Sequence, residues 1–137
     1  MVTCFISYLT LLLQSEPTYD KEEVEKAGIS VHDFFFHDGA SPPFELIARW
    51  LDLVNNTFDT RRVKKDEKPC IAVHCVAGLG RAPVLVAIAL IEYGIDAASA
   101  VTFIRDRRRG AINAVQLTYL ESYKPIRQKQ RQACCII

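Results

Sequence analysis

Cys75 and Arg81 stand six residues apart with Gly78 and Gly80 between them. A thiol, two glycines and a guanidinium at this spacing can bind and attack an oxyanion. The glycines let the backbone of Val76, Ala77, Gly78, Leu79 and Gly80 curl until successive N–H groups face one point. A helix that starts at Arg81 adds positive potential at the same point. Cys75 on the floor of this cradle is then held as a thiolate, placed to attack phosphorus. Arg81 can return over the loop and grip two equatorial oxygens with its planar fork. Cys-x5-Arg alone occurs by chance, and a buried cysteine beside an ordinary glycine turn carries the same letters. The flanks make the pattern specific. Cys70-Ile71-Ala72-Val73-His74 reads as a short strand buried on both faces, and residues 82–93 read as a helix apolar all round, central and fully buried, ending at Gly94.

Phosphoryl transfer from an ester also needs an acid for the departing oxygen. Asp38 lies in Phe36-His37-Asp38-Gly39-Ala40-Ser41-Pro42-Pro43, which reads as a mobile loop after a strand. On these residues alone Asp38 is equally well a turn-forming Asp-Gly. His74, directly before Cys75, is expected to point away from the loop and to hold it by a hydrogen bond rather than act as a base.

The elements that must position these groups alternate. Strands are predicted over residues 2–13, 29–36 and 70–74. Pro42-Pro43 opens a helix whose apolar face is Phe44, Ile47, Ala48, Leu51, Val54 and Phe58. Asp96 caps the next helix, with Ala97, Ala100, Val101 and Ile104 on its apolar face and arginines at its end. Asn113 and Gln116 fit a capping box for a last helix through Leu117 and Leu120. This alternation predicts an α/β domain with a mostly parallel sheet flanked by helices. Residues 59–69 are charged and aperiodic, and read as a solvated loop.

The chain has 137 residues, half of them apolar, and a net charge of +1. That suits one domain and argues against a nucleic-acid partner, which would call for a broad basic surface. Five cysteines at uneven spacing do not resemble a disulfide framework, and the three histidines lack zinc-ligand spacing, so neither a metal nor any other cofactor is expected. Free thiols fit a reducing compartment. Met1–Gln14 is uncharged, too short to span a bilayer as a helix, and without the basic start of a signal peptide.

From His74 through Glu92 the sequence HCVAGLGRAPVLVAIALIE resembles the phosphatases of regenerating liver (PRL), a branch of the protein tyrosine phosphatases. The resemblance extends over Glu16–Asp20, Val24–Ile29, Phe36 with Asp38-Gly39-Ala40, Phe103–Arg105, Arg108–Ala111 and Cys134-Cys135, and so covers about residues 15–137. It implies a dual-specificity-like cysteine-phosphatase fold over residues 1–125, incomplete at the N-terminus, and a basic tail over 126–137. It implies Cys75 as nucleophile, Arg81 as phosphate-binding arginine and Asp38 as general acid, with a phosphotyrosine protein or a phosphoinositide as substrate. Ala82 stands where most tyrosine phosphatases carry Ser or Thr, a hydroxyl that helps the thiolate leave. Slow breakdown of the phosphocysteine is therefore expected. The family also binds CBS-pair domains of cyclin-M-type magnesium transporters, and members trimerise, which implies a homo-oligomer. Ser15 takes the place of the family's second redox cysteine, so the disulfide with Cys75 is not available. His37 replaces an aspartate beside the acid, and Phe34-Phe35 replace Trp-Pro. The family's first strands and helix have no counterpart in this sequence, which is expected to leave an exposed sheet edge beside residues 70–74.

Cys134 in Cys134-Cys135-Ile136-Ile137 forms a C-a-a-X prenylation box, with Lys124, Arg127, Lys129 and Arg131 upstream. One lipid and a basic stretch together are expected to hold the protein at the inner face of the plasma membrane or endosomes, with a cytoplasmic or nuclear pool when unprenylated.

Overall fold

The computed structural model describes residues 5–11, 19–59 and 69–126. Three parallel strands, β1 (Phe5–Leu11), β2 (Ser30–Asp33) and β3 (Pro69–His74), form one sheet in the order β2-β1-β3. Tyr8 pairs with Ser30 on one side, and Leu11 pairs with His74 on the other. Five helices follow: α1 (Lys21–Lys26), α2 (Phe44–Phe58), α3 (Arg81–Glu92), α4 (Ala97–Arg107) and α5 (Ala114–Ser122).

The α/β class, the parallel sheet, the three strands and four of the helices agree with the sequence reading. The helix α1 was not foreseen. It buries no side chain and is held at its start by Asp20, which accepts from Glu22 N–H at 2.8 Å. The caps stand as expected. Asp96 accepts from Ser99 N–H, and Asn113 with Gln116 closes a full capping box.

Two burial expectations need correction. Every residue of β3 is only half-buried, not buried on both faces. In α3, Val84, Leu85, Ala87 and Ile88 are fully enclosed, but Val86, Ala89 and Leu90 are partly exposed. Both have one cause: β3 has β1 as its sole strand partner among the described residues, so nothing in them covers its outer edge or the side of α3 beneath. Two clefts, of about 480 and 210 Å³, adjoin that side and share Val73 and Val86 in their walls.

The core lies between the sheet and α2–α5, and α3 runs through it. Phe34 is 2% exposed and sets its ring edge-on to Trp50 at 6.0 Å. The Trp50 indole N–H donates to the Leu85 carbonyl at 2.8 Å and so pins α2 to α3. A buried indole with its N–H satisfied contributes apolar area without a desolvation cost. No helix among the described residues is long and apolar enough to cross a membrane. The 60–68 segment, Ser15 and the 127–137 tail with Cys134 lie outside the described residues.

Candidate active site

The β3 strand delivers His74 and Cys75 to a tight turn, Val76–Gly80, that runs directly into α3 with Gly80 as N-cap. Gly78 sits at φ +68°, a left-handed conformation that any side chain would strain. Among the described residues the amides of Val76 to Gly80 donate to no backbone carbonyl, so they stay available for a ligand. Cys75 is buried, while Val76 and Leu79 stand out at the rim, 71% and 40% exposed.

Arg81 is the first residue of α3 and only 2% exposed. Its Nε and Nη1 have no hydrogen-bond partner. The Asp38 Oδ1 lies 3.3 Å from Nε, within ion-pair distance but off the N–H direction. A buried guanidinium with unspent donors costs free energy in the empty protein, and an oxyanion would recover it. No other buried cationic group among the described residues is left this way.

Asp38 sits on the turn between β2 and α2, its side chain 67% exposed apart from its approach to Arg81. The turn is closed by Ala40 N–H to the His37 carbonyl, and Gly39 N–H donates to Oδ1 at 3.1 Å. A methyl group on Gly80 would stand 3.2 Å from that oxygen, so the bare glycine lets the carboxylate reach the loop. The structure thus brings Arg81, Asp38 and Gly80 together at the end of the turn that Cys75 begins. Ala82 is buried behind them, one position into α3.

His74 is turned to Tyr19, whose hydroxyl lies 2.9 Å from its Nε2. Burial, and then the charge of Asp33, raise the Tyr19 pKa, so the phenol keeps its proton and can give it to the imidazole as a hydrogen bond. Tyr19 was not singled out in the sequence, because 55 residues separate the pair. Arg108 was likewise missed. Its Nη2 donates to the Ala77 carbonyl at 2.8 Å and packs where a Gly78 side chain would be, holding that carbonyl out of the cradle. No group of His, Cys, Asp and Glu that could hold a metal ion occurs among the described residues.

This arrangement can bind a tetrahedral oxyanion, present a sulfur to it and carry a proton to or from its ester oxygen. The protein-tyrosine phosphatase sequence profile matches residues 20–124. Protein tyrosine phosphatase type IVA 3 of Bos taurus is 52% identical over 93% of this chain and 75% of its own length. Its Homo sapiens counterpart is 55% identical over 89% of this chain and 66% of its own. The chain therefore spans two thirds to three quarters of these relatives. A protein tyrosine phosphatase (putative) from Leishmania major superposes with a TM-score of 0.71 at 42% identity, covering 87% of this chain and 73% of that one.

Proposed function

The chain belongs to the protein-tyrosine phosphatase family, in its type IVA (PRL) branch, and is a phosphatase; from that premise we propose that it works through Cys75, Arg81 and Asp38. The Cys75 thiolate attacks the phosphorus of a phosphomonoester held by the loop amides and Arg81. The sulfur–phosphorus bond forms as the phosphorus–oxygen bond to the leaving group breaks, and protonated Asp38 gives its proton to that oxygen. Water then attacks the phosphocysteine. Asp38, now a carboxylate, accepts a proton from it, and phosphate and the thiolate are released. The observation that carries this reading is the pair of unspent donors on buried Arg81. The substrate class is a phosphotyrosine protein or a phosphoinositide.

Ala82 bears on the second step, because no hydroxyl at this position helps the sulfur leave. Intact-mass spectrometry after mixing with an aryl phosphate should therefore show a phosphorylated protein that outlives substrate consumption. The Ala82→Ser variant should lose it about tenfold faster, roughly the worth of one neutral hydrogen bond to the departing sulfur. If no phosphorylated protein is captured at any time in either form, the covalent route is wrong.

A second reading is favoured by the apolar rim of Val76 and Leu79, and slow phosphocysteine breakdown would serve it. The same loop would seat a CBS-pair domain of a cyclin-M-type magnesium transporter, and phosphorylation of Cys75 would release it. Calorimetric titration of such a domain should show binding to the bare protein and none to the trapped phosphoprotein; equal affinity for both removes this reading.

Prenylation of Cys134 is supported by its C-a-a-X context and the basic residues before it. Protein expressed in eukaryotic cells should partition with membranes and carry one prenyl mass, and Cys134→Ser should abolish both. A Cys134→Ser variant that partitions like the parent would exclude this anchor. A homo-oligomer and an endosomal or plasma-membrane address remain parts of the same proposal.

A further inference from the structure

The turn between α4 and α5 touches both loops of the site. Ile112 is 2% exposed and holds φ +66°, an unfavourable conformation for a β-branched residue. It persists because the surroundings fix it on every side. The Ile112 N–H donates to the Leu79 carbonyl of the phosphate loop at 2.7 Å, and Ala111 N–H donates to Arg108. Arg105 forks onto the carbonyls of Ala111 and Ile112, at 3.0 and 2.9 Å. The next residue, Asn113, has two jobs in one amide. Its Oδ1 accepts from Gln116 N–H at 2.8 Å and caps α5, while its Nδ2 donates to the Gly39 carbonyl at 3.4 Å. Gln116, fully buried, repeats the division: Oε1 accepts from Asn113 N–H at 3.2 Å, and Nε2 donates to the Ala40 carbonyl at 3.5 Å.

We propose that Asn113 and Gln116 are positioning residues for Asp38: the acceptor half of each amide caps α5 and the donor half latches the turn that carries the acid. The inference rests on the reading of Asp38 as the acid. Asp38 itself is mostly exposed, and besides its approach to Arg81 its turn is tied to the α4–α5 segment by these two amides. Both latch bonds are neutral and long, so each is weak and can yield when the turn must open for substrate or product. The phosphate loop, in contrast, is tied to the same segment by a short bond through strained Ile112. One rigid segment thus holds the nucleophile's loop firmly and the acid's turn loosely.

The split amide allows a test that spares the cap. Asp and Ser are both good N-caps, but neither has the amide donor. Asn113→Asp keeps the cap oxygen, and Asn113→Ser does so without adding a charge near Asp38. The measurement is the pre-steady-state burst of phenol release from aryl phosphates of rising leaving-group pKa, so that slow phosphocysteine breakdown does not mask the first step. Circular-dichroism melts check that α5 is still capped. In both variants the ratio of burst rates between the best and the poorest leaving group should widen about tenfold, part of the 10²–10⁴-fold range for a general acid. Asp38→Asn should widen it further. Equal losses on all leaving groups, or an unchanged ratio, overturn the latch while Asp38→Asn still widens it. A flat series for Asp38→Asn overturns the acid assignment, and the latch with it.

Discussion

Cys75→Ser should remove turnover of an aryl phosphate by about three orders of magnitude or more, the scale seen when a covalent nucleophile is deleted. Serine keeps the size of the side chain and its place at the end of β3, so the fold and the oxyanion cradle should survive. The hydroxyl is not ionised near neutrality; Asp38, which must give its proton to the leaving oxygen, cannot also take one in that step, and His74 faces Tyr19 and not the loop. The variant should still bind vanadate or phosphate, because the loop amides and Arg81 are untouched. Loss of turnover with binding retained separates the nucleophile from the binding groups. Turnover within a few-fold of the parent would sink the mechanism.

Arg81→Met should move activity and stability in opposite directions. Activity should fall about 10³-fold, since the bidentate grip on the transferring phosphoryl group is lost. Stability of the empty protein should rise, because Nε and Nη1 are buried without hydrogen-bond partners. Replacing a whole buried ion pair by apolar residues of similar volume is often neutral or gains about 1–4 kcal/mol, and removing Arg81 alone, whose partner is exposed, should gain part of that. The ion pair given up in exchange involves an Asp38 that is 67% exposed, where water already screens the attraction. Thermal melts in phosphate-free buffer should thus put the variant above the parent. Adding vanadate at a hundred times its dissociation constant should stabilise the parent by about 2.7 kcal/mol and leave the variant unmoved. A variant that melts lower than the parent and still responds to vanadate would show that the oxyanion is held elsewhere.

Much of the fold could be read from the chain because the relevant signals are local. The apolar run before Cys75 and the longer one after Arg81 announce strand and helix, and the glycines between them announce the turn. Asp96 and Asn113 declare their helices by side chains that bond within three residues. The first helix went unread because it has no apolar stripe; its marks are Asp20 at the cap, Glu22 and Glu23 in the first turn and Lys26 in the last. In the site, Cys75 and Arg81 share one loop and were legible together. Asp38 was only half legible, since an Asp-Gly turn has the same appearance whether or not the fold returns it to a phosphate loop. The contacts that steady the machinery were not legible: Asn113 reaches Gly39 across 74 positions and Arg108 reaches Ala77 across 31. Long-range pairs of this kind leave no periodic trace. The apolar run of β3 by itself implied burial on both faces, and only the resemblance, with the family's first strands missing, pointed to an exposed edge there. A run of apolar residues says that a strand seeks cover, but not whether cover is present on both sides.

That one-sided strand has a mechanical consequence for the chemistry. Among the described residues the thiol hangs from the end of a ribbon stitched to a neighbour along a single seam, β1, while α3 anchors the far end of the same turn in the buried core. Thermal breathing should therefore enter the reactive loop from the cysteine side and stop at the arginine side. Amide hydrogens of residues 70–74 would trade with deuterium well ahead of those in 84–88.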